Sequence, residues 1–288
     1  MRQLQEMTAA VFDFDKTVAE TFRPSPNGLG TEEAYALAVS MVLGKHGEQV
    51  YRGQGLGNRA PTELVRDILK AGSMPDMLSC AQMYLEMNAA ILDGLVPPGK
   101  GMPLVWSEEK QVEVIGELLT RAKLMVLVDE LSHHPDGSIW PEPCSGVLEF
   151  MRELQKRGIA TAILSSGHEL FITRAFELWG AEAPLMLTDD DVRGLTSVSL
   201  NEKMKPHPFL FELLIRKWQD VQSWAHEPAH RRRFFYFGDD IVKDGRLAAS
   251  AGLRFGLYDP ESTVTAEMPT DQFRFADWRD LTKAMQAT

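Results

Sequence analysis

Four short apolar runs, separated by stretches of helical periodicity, set the strongest limit on how this chain can fold. The runs are TAAVFDF (8–14), GIATAIL (158–164), RFFYFG (233–238) and GLRFGLY (252–258). Each has strand length, is apolar on both alternating faces, and is followed by small or polar residues. A strand apolar on both faces needs cover on both, which points to a parallel sheet between helices. The intervening stretches supply that cover. SGVLEFMRELQKRG (145–158) places Val147, Leu148, Phe150, Met151 and Leu154 at helical spacing before a glycine stop. HPFLFELLIRKWQD (207–220) is amphipathic in the same period, and KDGRLAASAG (243–252) reads as a short helix ended by glycine. The expected fold is therefore α/β, a Rossmann-like parallel sheet core in three layers. In such sheets, sites form at the carboxyl ends of the strands.

The stretch 21–140 departs from this pattern. TEEAYALAVSMVLGKHG, APTELVRDILKAG, DMLSCAQMYLEMNAAILDGL and SEEKQVEVIGELLTRAKLMVLVDEL are all helical in period, with no strand alternation. RPSPNGLG, RGQGLGN and PPGKGMP punctuate them, and HHPDGSIWPEPCSG (133–146) reads as the exit. The expectation is a core of 1–20 and 141–288, with a mostly α-helical domain at 21–140 inserted after the first core strand.

Composition narrows the function. Thirty Lys and Arg against 41 Asp and Glu give a net charge of −11, which argues against a nucleic-acid or membrane-surface partner. The one dense basic run, Arg231–Arg233, directly precedes an apolar strand and reads as its solvated entry. Cys80 and Cys144 share neither a zinc spacing nor a disulfide framework, so a reduced, cytoplasmic setting fits best. The N-terminus lacks a signal-peptide apolar region, and no run reaches the roughly 18–20 residues of a membrane span. Nothing in the sequence specifies an oligomeric state.

The chemistry lies at the strand ends. VFDFDKTVAE (11–20) puts Asp13 and Asp15 after the first run, and AILSSGHE ends the second in Ser165 and Ser166. NEKMKPHP presents Lys205 before a helix, and FFYFGDDIVKD carries Asp239, Asp240 and Asp244. If these ends converge, the site holds several carboxylates, one lysine and one or two hydroxyls. Carboxylates gathered without equal basic partners repel one another, and a hard divalent cation is their natural partner. Oxygen ligands with no His or Cys favour Mg2+ over zinc. A lysine and a hydroxyl are donors suited to phosphoryl oxygens.

The order DxDxT, strand-Ser, Lys-Pro, GDDxxxD resembles the haloacid dehalogenase (HAD) superfamily of phosphohydrolases, and the four motifs span residues 11–244. The resemblance implies roles for individual residues. Asp13 matches the nucleophile that forms an aspartyl-phosphate, and Asp15 the general acid and then base. Ser165 and Lys205 match the groups that hold the transferring phosphoryl oxygens. Asp13, the Asp15 backbone carbonyl, Asp239 and Asp244 match the Mg2+ site. Thr17 and Ser166 are expected at the substrate. The superfamily's dehalogenases lack the second aspartate, as its phosphonatases usually do, so Asp15 points to phosphoryl chemistry. The chain departs from this part of the family at Lys16, where glycine is common; a solvent-facing lysine or one touching the site are both open. His168, just after the second motif, is either near the site or at the surface.

The position of the insertion resembles a helical C1-type cap, as in the phosphoglycolate phosphatase and phosphoglucomutase-like branch, and KPHP resembles that branch's Lys-Pro-x-Pro pattern. Within the insertion, YRGQGLGNRAPTELVRDIL (51–69) places three glycines before a helix, with Arg52 and Arg59 beside them. This resembles the branch's substrate-binding cap loop, or else is a flexible connector. His133 and His134 read as hinge residues. The leading expectation is a Mg2+-dependent phosphatase acting on a small phosphorylated metabolite. Alternatives are a phosphomutase on a sugar phosphate and a catalytically silent binding protein on the same fold.

Overall fold

The computed structural model describes residues 2–55, 61–88, 107–132, 137–193, 195, 202–265, 268 and 272–287. The chain divides into two compact units, Met1–Arg23 with Ile139–Thr288, and Pro24–Ser138.

The first unit is built on a six-stranded, wholly parallel sheet. Its strands are β1 (Ala9–Phe12), β2 (Ala160–Leu164), β3 (Leu185–Leu187), β4 (Phe234–Gly238), β5 (Arg254–Tyr258) and β6 (Gln272–Phe275), in the spatial order β3-β2-β1-β4-β5-β6. The Rossmann-like α/β expectation is therefore met. Two strands escaped the sequence reading, β3 and β6, and both are sheet edges. β3 has only three residues, and β6 alternates Gln272 and Arg274 with aromatics, so neither reads as a doubly buried run.

Residues on opposite sides of the strands build two different cores. On one face Val11, Phe234, Tyr236 and Phe255 pack with Phe211, Leu214 and Trp218. On the other, Phe12, Phe150, Phe237 and Trp278 pack ring against ring at centroid separations of 5.3–6.3 Å. Each buried Phe contributes on the order of 1.5–3 kcal/mol. The first unit's helices are α5 (Val147–Lys156), α6 (Glu169–Leu178), α7 (Asp189–Arg193), α8 (Phe209–Lys217), α9 (Gln219–Ala225), α10 (Pro228–Arg231), α11 (Arg246–Ala251) and α12 (Trp278–Gln286). The expected helix at 207–220 breaks at Trp218, where ψ turns to 83°, and resumes as α9. The one at 243–252 starts earlier, as a π-helical turn over Ile241–Gly245 that runs into α11.

The second unit is helical among its described residues: α1 (Thr31–Gln54), α2 (Pro61–Ala71), α3 (Met74–Met87) and α4 (Glu108–Ser132). Its core gathers Val39, Val42, Leu43, Leu64, Ile68, Met77, Ile115 and Leu118. No helix among the described residues is long and apolar enough to cross a membrane. α1 is interrupted at Gly44, whose φ of 75° and ψ of 178° lie in a region open essentially to glycine alone. A Cβ there would also stand 2.8 Å from Cys80 Sγ, so the kink lets α1 and α3 approach.

Gly44→Ala is therefore expected to destabilise the helical unit by about 1–3 kcal/mol. Adding Cys80→Ala should recover only the steric part, because the backbone conformation stays unfavourable. Urea unfolding followed by circular dichroism checks this; wild-type stability in Gly44→Ala would refute the account of the kink.

Candidate active site

Register brings the motifs together. Phe12 lies opposite both Ile163 and Phe237, so the next residues on β1, β2 and β4 leave the sheet side by side. Asp13 N donates to Phe237 O at 2.8 Å, and Ser165 N to Leu187 O at 3.0 Å, which fixes both residues at this edge. Lys205 completes the cluster from the segment before α8. Its ammonium donates to Asp13 Oδ1 at 2.6 Å and to Asp244 Oδ1 at 2.8 Å. The lysine side chain is 6% exposed and that of Asp244 1%.

Asp244 owes its position to the π-helical turn. Asp244 N donates to Asp240 O at 2.8 Å, and the Asp240 carboxylate caps the turn by accepting from Val242 N and Lys243 N. The turn folds Asp244 back over Gly238, where a Cβ would collide with the Asp244 side chain. Only glycine leaves room there. Among the described residues, Asp13, Asp239 and Asp244 each offer a carboxylate oxygen within 4.8 Å of the others. Ligand oxygens of an octahedral site at about 2.1 Å from magnesium are roughly 3–4 Å apart, so small side-chain adjustments bring the three into range. Hard, anionic oxygens outnumber the one ammonium beside them, and this donor set fits Mg2+.

The electrostatics follow from burial and crowding. Burial pushes the Asp13 carboxyl well above the usual range; Lys205 opposes this, while Asp244, Asp15 and Asp239 add to it. Burial disfavours the Lys205 ammonium, but Asp13 and Asp244 outweigh it and hold lysine well above its ordinary value. Asp239 is pushed up to about 6, first by burial and then by Asp244, with Lys16 and Lys205 opposing.

The remaining expected residues fall in different places. Asp15 Oδ1 accepts a hydrogen bond from Thr21 Oγ1, a contact the sequence did not reveal. Ser165 is buried, and its hydroxyl accepts from Gly167 N at 2.9 Å, which leaves its own proton to donate. Ser166 is exposed. Both line a small depression with Thr188, Asp189 and Lys203; it lies on the β2–β3 side and does not include Asp13. Thr17 is completely buried, and its Oγ1 has no partner among the described residues. His168 is also buried, with Nδ1 3.0 Å from Asp190 Oδ1, so it neither reaches solvent nor stands free. Lys16 is exposed, with φ 57° and its ammonium 4.1 Å from the centre of the Phe22 ring.

Of the Gly-rich segment of 51–69, the structure describes 51–55 and 61–69. Arg52 lies in the last turn of α1, and Gly55 ends that helix at φ 59°. The Arg52 guanidinium pairs with both oxygens of Glu33 and with Glu48 inside the helical unit. Arg59, His133 and His134 lie outside the described residues.

The family comparison agrees with this geometry. A model of haloacid dehalogenase-like hydrolases matches residues 7–252, and the chain belongs to that family. Among solved structures, a protein from Bacteroides fragilis assigned as a haloacid dehalogenase-like hydrolase is 16% identical, with a TM-score of 0.51 over 95% of this chain and 99% of that one. A predicted phosphoglycolate phosphatase from Haemophilus somnus is 15% identical, with a TM-score of 0.50 over 98% and 99% of the two chains. At these identities the likeness is one of fold. No curated protein matches the sequence.

The Asp239 shift carries a stability consequence. Its folded value of about 6 lies above the ordinary 3.8, so its contribution is full below about pH 4 and is lost as pH rises through 6. About two pH units correspond to at most about 3 kcal/mol. In chelator-treated protein, Asp239→Asn is therefore expected to be more stable than wild type at pH 7.5, with the gap closing towards pH 4. Thermal unfolding of both proteins across that range checks the sign. A gap that widened on acidification would refute it.

Proposed function

We propose that this hydrolase is a Mg2+-dependent phosphatase that cleaves a small phosphorylated metabolite through an aspartyl-phosphate on Asp13. The observation that carries the reading is the Lys205 ammonium, buried between Asp13 and Asp244 at the strand edge that also bears Ser165 and Asp239. Asp13 and Asp244 use Oδ1 for Lys205. In this reading Asp13 Oδ2 attacks phosphorus as the bond to the leaving oxygen breaks, and Asp15 gives that oxygen its proton. Asp15 then takes a proton from water as the water oxygen displaces Asp13 from phosphorus. Thr21 holds the Asp15 carboxylate in one orientation for both transfers. Lys205 and the Ser165 hydroxyl donate to the phosphoryl oxygens, a positioning task that dominates phosphoryl transfer. Asp13, Asp239, Asp244 and the Asp15 carbonyl would hold Mg2+, which when bound neutralises charge between the carboxylates and the phosphate.

The helical unit, inserted after β1, is proposed as the cap that recognises the leaving group. Arg52 could serve there only by exchanging Glu33 and Glu48 for a substrate anion. The proposal therefore expects Arg52→Ala to leave hydrolysis of a small aryl phosphate unchanged. Its effect on the metabolite's specificity constant decides whether that exchange occurs.

The test is phosphate release across a panel of phosphorylated metabolites, with Mg2+ and after exhaustive chelation. Activity is expected with Mg2+ alone and not in the chelated protein. Asp13→Asn should stay folded by circular dichroism yet lose at least about 100-fold in turnover. Full turnover in that variant, or in metal-free wild type, would overturn the reading.

A further inference from the structure

β4 reads FFYFG, and its single hydroxyl lies where the strand ends meet. Tyr236 is completely buried. Its one O–H proton is shared between two acceptors, the Leu164 carbonyl at 3.2 Å and Asp244 Oδ1 at 3.3 Å. Leu164 is the last residue of β2, directly before Ser165. The Tyr236 ring centre is 5.4 Å from Lys205 Nζ. One phenol therefore touches the β2 end, the motif lysine and the carboxylate of the π-helical turn.

Packing does not account for the hydroxyl. Phe234 lies on the same face of β4, and Phe235 and Phe237 on the other, so phenylalanine meets the apolar demand of this strand. A buried hydroxyl costs stability unless it is hydrogen-bonded. Here its partners belong to the site. The Asp244 Oδ1 it approaches is the same oxygen that accepts from Lys205. A shift of the phenol would thus move the β2 end relative to Asp244, and would change the support beneath Lys205.

We propose that Tyr236 is a positioning residue: its hydroxyl ties the carbonyl before Ser165 to Asp244, and its ring backs Lys205. The phosphoryl-holding and cation-holding halves of the site thereby keep one spacing. This rests on the phosphatase reading above. It differs from a packing role in what it affects, because removing the hydroxyl disturbs metal affinity and turnover rather than stability alone. Loss of a partner that orients ligands typically costs about 10- to 100-fold in metal affinity or activity.

The experiment compares the full-length wild type with Tyr236→Phe and Met285→Ala. Met285 is buried on α12, an element that carries none of the residues named at the site, so its truncation supplies a structural loss. Magnesium chloride is titrated while the unfolding temperature is followed, and kcat and KM are measured with p-nitrophenyl phosphate. For Tyr236→Phe the magnesium midpoint should rise, and kcat fall, by about tenfold or more, with KM changing little. Met285→Ala should lower the metal-free unfolding temperature and leave midpoint and kcat at wild-type values. A Tyr236→Phe protein with wild-type midpoint and kcat overturns the positioning role alone. A wild type with neither a magnesium shift nor turnover overturns the phosphatase reading and the proposal with it.

Discussion

The ion triad of Asp13, Lys205 and Asp244 is the interaction on which the rest of the site depends. Two carboxylates and one ammonium are buried together, within hydrogen-bond distance. Desolvation costs each of them several kcal/mol, and the mutual attraction offsets this only while all three are present and well placed. Removing the lysine would leave two buried carboxylates facing each other. The count is also unequal: one ammonium cannot balance Asp13, Asp239 and Asp244, and in the proposed function a divalent cation neutralises the excess. The metal-free protein meets the excess differently, by raising the proton affinity of Asp13 and Asp239.

Such a triad requires its members to arrive from distant points in the sequence with little freedom. Parallel register supplies the first constraint, because Phe12 is level with Ile163 on one side and Phe237 on the other. The π-helical turn supplies the second: it carries Asp244 back over Gly238, with Asp240 capping the turn. Asp240 therefore does structural work beside two neighbours that face the site. The double aspartate in GDD thus has one member aimed at the strand edge and one spent on the backbone.

Much of this was legible in the chain itself, because central strands buried on both faces read as continuous apolar runs. A carboxylate directly after such a run is costly enough to mark a site. The parts that escaped share a physical reason, which is that their signal is tertiary. β3 and β6 are edge strands with short or mixed patterns. Gly53 and Gly55 make 53–57 look like a loop, yet α1 continues through Gln54, with Arg52 paired to Glu33, nineteen residues earlier, and to Glu48. Tyr236 sits in an aromatic run whose spacing marks packing, and nothing local shows that its hydroxyl reaches Leu164 and Asp244.

Lys16 shows how a departure from a glycine position can be nearly neutral. The turn after β1 needs φ 57° at this residue, with Lys16 N bonded to Ala19 O and both Val18 N and Ala19 N to Phe14 O. For a non-glycine residue that conformation costs of order 1 kcal/mol or somewhat more. The ammonium over Phe22 returns about 0.5–1 kcal/mol at an exposed position. Glycine would avoid the strain but lose the ring contact, and would enlarge the conformational freedom of the unfolded chain. It would also remove a positive charge that helps hold Asp239 ionised. Lysine is thus tolerated in a turn that favours glycine because its side chain leaves the turn and finds a ring. Its charge then acts on the acidic edge from outside the buried triad.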